Sequence, residues 1–213
     1  MNWLFTWKQC WVPTARGWLL LAGVALATSL SIVRSMDSFL SVNRPVAADV
    51  LVVESWLPDY ACRGAVEEFQ RGGYKYILTT GFILAEPWLE SKYKSAAEFA
   101  AANLAAMGVQ TNAIIVLPAQ GETRDRTYLS AVPVGHWLEM RNLNAINIYT
   151  LGTHARRTRL LFEKALGRNM KVGIFAHPDK YYDARRWWVS SYGFRKVMDE
   201  TIAYLYARLL FHR

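Results

Sequence analysis

The chain has 213 residues, of which 53% are hydrophobic and 20% are charged. This composition excludes a disordered tail, which has too few hydrophobic residues, and a polytopic membrane protein, which has fewer charges. The net charge of +8 suits a nucleic acid, an anionic membrane surface or an anionic substrate. Because no nucleic-acid motif is present and nine Trp and eleven Tyr suit a membrane-proximal protein, we expect no nucleic-acid partner.

An apolar segment without charges lies near the N-terminus, over residues 17–33. As a helix it would span roughly 25 Å, slightly less than the ~30 Å hydrocarbon core of a bilayer. Tryptophans suited to an interfacial belt surround it at Trp3, Trp7, Trp11 and Trp18. We predict an N-terminal segment at 1–16 and a transmembrane anchor at 17–34; a cleaved signal peptide and a core helix are the alternatives. Two basic residues on each side leave the orientation undecided by charge.

The two cysteines, Cys10 and Cys62, flank this segment. A membrane-spanning helix would hold them on opposite sides of the bilayer, which excludes an intramolecular disulfide. With no C-x-x-C pair, no Cys/His cluster and no metalloprotease motif, we expect neither a redox site nor a metal site.

From residue 48 onward, short apolar runs alternate with longer segments of helical spacing. The predicted strands are Asp49–Glu54, Tyr74–Thr79, Asn112–Leu117, Ala145–Leu151 and Met170–Ala176. The predicted helices are Cys62–Arg71, Glu90–Met107, a helix after Asp125 with a kink or late start at Pro133, His154–Leu166 and Phe194–Phe211. This alternation predicts one Rossmann-like α/β domain at 48–213, a three-layer sandwich with a mainly parallel five-stranded sheet, joined to the anchor by a stem at 35–47.

The C-terminal region adds two further features. The last helix carries an apolar stripe at Val197, Ile202, Leu205 and Leu209, which we expect to pack on the sheet. An aromatic and basic block at 181–188 precedes that helix. Such a block suits the headgroup level of a membrane, and ordinary packing against the last helix is the alternative.

A succession of short motifs runs through residues 48–176. They are Ala48-Asp49-Val50-Leu51-Val52-Val53, Arg63, Gly72-Gly73, Thr80-Gly81, Gly108-Val109, Thr127 and His154-Ala155-Arg156-Arg157. In this order they resemble the YdcF/SanA/ElyC family of bacterial envelope-associated proteins. The resemblance implies a Rossmann-like fold and a single-pass protein of the inner membrane whose domain lies in the periplasm or otherwise outside the cytoplasm. It does not imply a settled reaction, and the cofactor stays unknown.

Ligands bind open parallel sheets at the carboxyl ends of the strands. The candidate site residues that the sequence places there are Glu54, Ser55, Thr80, Gly81, Arg126, Thr127, His154 and Arg157. Arg156, Arg157 and Arg159 stand near the start of one helix, where positive charge opposes the helix dipole, and a bound anion would reverse that penalty. The alternative is a basic helix start that pairs with surface carboxylates, mainly through Arg156 and Arg159.

Each candidate residue has a predicted role. We expect His154 and Arg157, three residues apart on one helix face, to point at the sheet edge. His154 would be a catalytic acid or base, and Glu54 a second catalytic residue that positions or activates the ligand. Arg157 would bind the anion, and the other predicted ligand-binding residues are Thr127, Thr80, Gly81, Arg126 and Ser55. Asp125 is either an N-cap or part of the same cluster.

Two functions remain open from the sequence. One is an enzyme of cell-envelope or polysaccharide metabolism that acts on a phosphate- or sugar-phosphate-bearing small molecule or lipid-linked substrate. The other is a non-catalytic binding or scaffold module for envelope-polymer assembly. The absence of G-x-S-x-G and G-x-x-x-x-G-K-[ST] motifs excludes the standard hydrolase and P-loop classes.

Overall fold

The structure is a computed structural model that describes residues 10–83, 92–120 and 125–212. It divides into two compact units, residues 1–35 and 36–213. The first helix, α1 (Ala15–Leu40), contains an 18-residue window of mean hydropathy 1.7 in which no residue is buried. This helix is long and apolar enough to cross a membrane, and its exposure is the opposite of what a core helix would show.

The predicted stem differs from the observed chain, because α1 continues to Leu40 and the following residues are attached to the domain. Leu40 and Val42 are buried, and Arg44 forms two backbone hydrogen bonds with Ile174. The Asn147 side chain accepts from the Val46 amide at 2.9 Å and donates to its carbonyl at 2.8 Å. Residues 36–48 therefore belong to the folded domain, since they cover a sheet edge that would otherwise be unpaired.

Five parallel strands form one sheet in the order β3-β2-β1-β4-β5. They are β1 (Val50–Glu54), β2 (Tyr76–Phe82), β3 (Ile114–Ala119), β4 (Ala145–Leu151) and β5 (Lys171–His177). The apolar run of β1 is buried along its whole length in the centre of the sheet, which confirms the predicted Rossmann-like fold. The chain turns to opposite sides of β1 to form β2 and β4, so the topological switch lies between β1 and β4.

Strand β2 begins two residues later than predicted and continues to Phe82, so Thr80 and Gly81 are in the strand and not in the turn after it. Strand β3 is also shifted, because Thr111–Ala113 forms a short 3-10 turn before it. Both shifts move the carboxyl ends of the strands by two or three residues.

Helices cover both faces of the sheet, as predicted. They are α2 (Asp59–Arg71), α3 (Ala96–Ala106), α4 (Arg126–Glu139), α5 (Ala155–Leu166) and α6 (Ser191–Leu209). Residues of α2 and α3 share one apolar cluster with the strands, and residues of α4 and α5 share the other. Pro133 lies inside α4, which starts at Arg126 and not late, and Ser95 caps α3 well after the predicted start at Glu90, which lies outside the described residues.

The prediction for α6 is wrong in one respect: its apolar stripe does not pack on the sheet. Ile202, Leu205 and Leu209 are 63%, 49% and 64% exposed, and only Val197 of the predicted stripe is buried. The two sheet faces are already occupied by the other helices, so α6 packs on α5 through a small inward face that includes Ala207. The larger apolar side chains consequently face outward.

Candidate functional site

A cavity of about 800 Å³ lies at the carboxyl ends of the strands. All eight candidate residues line it, although they come from four separate parts of the chain: Glu54, Ser55, Thr80, Gly81, Arg126, Thr127, His154 and Arg157. Its volume is in the range of pockets that enclose a small organic ligand. The fold therefore brings the predicted residues together, and their roles stay predictions.

The floor of the cavity contains a histidine between two carboxylates. His154 Nδ1 lies 2.7 Å from Glu200 Oε1, and its Nε2 lies 3.6 Å from Glu54 Oε1. Glu54 ends the central strand, is 4% exposed and accepts a short hydrogen bond from the Thr150 hydroxyl. The ring of Trp56 meets the imidazole edge-on at 4.8 Å and covers it.

These contacts shift three pKa values. Burial alone would lower the pKa of His154, but the two carboxylates outweigh burial and raise it to about 9. Burial alone would raise the pKa of Glu200, but His154 and Arg157 lower it to about 2, and His154 and Thr150 likewise lower the pKa of Glu54. These pKa shifts favour an imidazolium at His154, between the two carboxylates, at neutral pH.

Arg157 is not free to bind an anion as predicted. Its Nε and Nη2 lie 2.9 Å and 3.1 Å from the two carboxylate oxygens of Glu200, a bidentate ion pair. Its Nη1 lies 3.5 Å from the Thr127 hydroxyl. The penalty of a positive charge at the start of α5 is therefore offset by a carboxylate of α6, forty-three residues later in the chain.

Glu200 is the main site residue that the sequence analysis missed. It follows Val197 by three residues and precedes Ala207 by seven, which places it on the inward face of α6. An acidic side chain on the buried face of a helix requires a cationic partner, because an unpaired buried charge is costly. That pattern is visible in the sequence once the inward face is known.

The two other arginines of α5 have partners of their own, only one of which is local. Arg159 Nε lies 2.9 Å from Glu163 Oε1, one helical turn later. The Arg156 guanidinium lies 3.8 Å from the centroid of the Phe39 ring and donates to the Phe39 carbonyl. The alternative of a basic helix start that pairs with surface carboxylates therefore describes Arg159, whereas Arg156 contacts an aromatic ring and a backbone carbonyl instead.

The start of α4 forms a second polar part of the cavity. Asp125 occupies the predicted N-cap position of α4, with a left-handed φ of 56°. Its side chain does not form the hydrogen bond to the helix N-terminus that an N-cap residue usually makes. Arg126 and Thr127 follow as the first helical residues, and the Arg126 guanidinium lies 4.8 Å from the Phe82 ring centroid.

Gly81 stands where β2 meets the turn after β1. A Cβ at this position would lie 2.3 Å from Ser55 Oγ and 2.9 Å from Ala96 Cβ. The glycine therefore permits the close approach of Ser55 that shapes this side of the cavity.

The remaining wall of the cavity is apolar. It is formed by α5, α6 and the second residue after α6, through Leu161, Ile202, Ala203, Tyr206, Ala207 and Phe211. The cavity thus joins a charged floor at the sheet edge to a hydrocarbon surface on α6. Within the described ranges, no group of three or more His, Cys, Asp or Glu side chains has the arrangement of a metal site.

Compared with protein-family models, curated proteins and solved structures, the chain matches none of them significantly.

Proposed function

We propose that this protein is anchored by α1 as a single-pass membrane protein and that its domain binds an anionic, phosphate-bearing molecule in the cavity. The observation that carries the proposal is the convergence of the α4 N-terminus, Arg126 and the hydroxyls of Ser55 and Thr127 on one cavity at the topological switch. Helix N-termini bind phosphate and carboxylate groups through backbone N–H groups and the helix dipole, and arginine adds a charge-assisted hydrogen bond.

The proposed anion position differs from the one expected at His154 and Arg157. Glu54 and Glu200, the two carboxylates of the floor, form ion pairs with His154 and Arg157. Arg126 is not part of these ion pairs and lies at the start of α4. We therefore assign the anion to Arg126 and Thr127, with the buried network as the support that holds Thr127 through Arg157.

A binding role is favoured over acid–base catalysis. The Nε2 atom of His154 is buried without a hydrogen-bond partner, and Glu54 is almost entirely covered. A proton donor must lie within hydrogen-bond reach of the substrate, which these atoms are not in this conformation. The enzyme alternative is supported by the protonated state of His154, which would suit a general acid if a bound ligand displaced Trp56.

The test is anion binding by the full-length protein in detergent, with inorganic phosphate and glucose 1-phosphate as probes in isothermal titration calorimetry. We expect Arg126→Ala to weaken binding by roughly 1.5–3 kcal/mol, the contribution of a charge-assisted hydrogen bond. Arg159→Ala is the matched control, because that arginine is paired with Glu163 and is not among the cavity residues. Equal affinities of the two variants, or no binding of either probe by the wild type, would reject this anion site.

We further propose that the domain lies outside the inner membrane, in the cell envelope, on the basis of the motif order described above. The even distribution of basic residues around the anchor does not oppose this orientation. A C-terminal alkaline phosphatase fusion should be active and a C-terminal green fluorescent protein fusion dark. The reverse pattern would place the domain in the cytoplasm.

A further inference from the structure

The outward face of α6 is an unpartnered apolar stripe. Phe194, Ile202, Leu205 and Leu209 are 49%, 63%, 49% and 64% exposed, and their spacing places them on one side of the helix, opposite Val197 and Ala207. From the first to the last, the stripe is about 22 Å long. Contiguous exposed apolar surface of this kind marks a site of contact with another molecule or a membrane.

The stripe continues into the segment before α6. Trp188 and Val189 are 36% and 67% exposed, while the neighbouring Trp187 is buried against Phe194, with ring centroids 5.9 Å apart. A tryptophan beside exposed aliphatic side chains is typical of the membrane–water interface.

The charges around the stripe are mainly positive. Apart from Lys196 and Asp199, which line the cavity, the exposed charged residues between 183 and 209 are four basic and one acidic: Arg185, Arg186, Arg195 and Arg208 against Asp183. The third acidic residue, Glu200, is engaged inward with Arg157. This excess of cations complements anionic lipid headgroups and would repel the same face of a second copy.

The short connection between the apolar segment and Phe39 limits how far the bilayer can be from α6. Phe39, in the last turn of α1, contacts Tyr204 of α6 with ring centroids 5.6 Å apart. Val33, the last residue of the apolar segment, precedes Phe39 by six positions, which is about 9 Å of helix and at most roughly 20 Å of extended chain. Whatever the direction of the anchor, the bilayer surface is within this distance of Phe39.

We propose that the outward face of α6, defined by Phe194, Ile202, Leu205 and Leu209, lies in the headgroup region of the bilayer that holds α1. The apolar side chains enter the acyl boundary, and the flanking arginines contact anionic headgroups. Because Ile202 also lines the cavity, that rim of the cavity then lies at the membrane surface.

The experiment uses the full chain, reconstituted in vesicles of phosphatidylcholine and phosphatidylglycerol. Cys10→Ser and Cys62→Ala remove the native thiols, and a nitroxide spin label is attached at Leu205→Cys or Leu209→Cys. The control label is at Gln70→Cys, which is exposed near the end of α2, on the opposite face and edge of the sheet. Relaxation of each label by lipid-soluble oxygen and by a water-soluble nickel complex is compared.

We expect oxygen to relax both α6 labels more than nickel does, and nickel to relax the Gln70 label more than oxygen does. In vesicles of phosphatidylcholine alone, the preference of the α6 labels for oxygen should be smaller. Two outcomes would overturn the proposal. In the first, the α6 labels are as accessible to nickel as the control label, so the face is exposed to water. In the second, they are shielded from both agents and the distances between labels on different molecules are short, so a second copy of the chain covers the face. No ligand is used, so the result is independent of the proposed anion site.

Discussion

His154 and Glu200 meet through a 2.7 Å contact between Nδ1 and Oε1, although forty-six residues separate them in the chain. This contact fastens α6 to the turn that follows β4, and the second oxygen of Glu200 binds Arg157 one helical turn further along α5. One carboxylate therefore neutralises two cations that the local sequence leaves without a partner.

The His154 contact predicts a specific pH dependence of stability. The folded-state pKa of about 9 is above the value of 6.5 for an unperturbed histidine, so the folded state binds the proton more tightly than the unfolded state. The stabilisation of the folded state by the His154 proton is complete below pH 6.5 and is lost as the pH rises to 9. We expect the melting temperature of the full-length protein in detergent to fall across this interval.

His154→Gln is the control for that measurement. The variant should be less stable at pH 6, but its melting temperature should change much less between pH 6.5 and 9, because the titrating group is gone. Parallel curves for wild type and variant would show that His154 does not carry a raised pKa. At the acidic end, the pKa of about 2 for Glu200 predicts a separate loss of stability as the pH falls below 4.5.

Arg157→Ala should destabilise the domain, because it leaves Glu200 partly buried beside only one cation. We expect a loss of about 1–3 kcal/mol in the free energy of unfolding, less than the roughly 3–5 kcal/mol for breaking a fully buried ion pair, because both side chains keep some exposure. Arg159→Ala should change it by less than about 0.5 kcal/mol, since its pair with Glu163 is half-exposed and local. Chemical denaturation of both variants is the measurement. Equal losses of unfolding free energy would contradict the conclusion that the Arg157–Glu200 pair stabilises the domain more than the Arg159–Glu163 pair.

Gly81→Ala should also be destabilising, by roughly 1–3 kcal/mol, because the new methyl group would collide with Ser55. The double variant Gly81→Ala with Ser55→Gly should recover part of the loss, since the closest contact is removed and only the Ala96 contact remains. Thermal unfolding of the two variants and of Ser55→Gly alone measures the rescue. Strictly additive effects would mean that Gly81 is required for another reason.

The anchor predicts that the mature protein keeps its N-terminus. Intact-mass spectrometry of the protein purified from membranes should give 24.3 kDa, apart from processing of the initiator methionine. The protein should also stay in the membrane fraction after washing with sodium carbonate. A species shortened by about 25 residues, the length of a cleaved signal peptide, would instead support the signal-peptide alternative.

The local features of this protein follow from the sequence alone. Val50 to Val53 form an apolar run with no polar face, so they fit only a strand covered on both sides, and the structure places them in the centre of the sheet. The alternation of strands and helices likewise determines the parallel topology, and parallel topology collects the strand ends at one edge. For this reason the sequence alone predicts that the eight candidate residues lie at one edge of the sheet.

Tertiary structure decided which partner each charge and each apolar face receives. Whether Arg157 meets an anion or a carboxylate depends on where Glu200 lies, and no local pattern specifies a contact across forty-three residues. The outward direction of Leu205 depends on the sheet faces being occupied already by other helices, which leaves α6 only the small surface of α5 to cover. Periodicity shows that a helix has an apolar stripe, but the space left by the rest of the fold determines which side is buried.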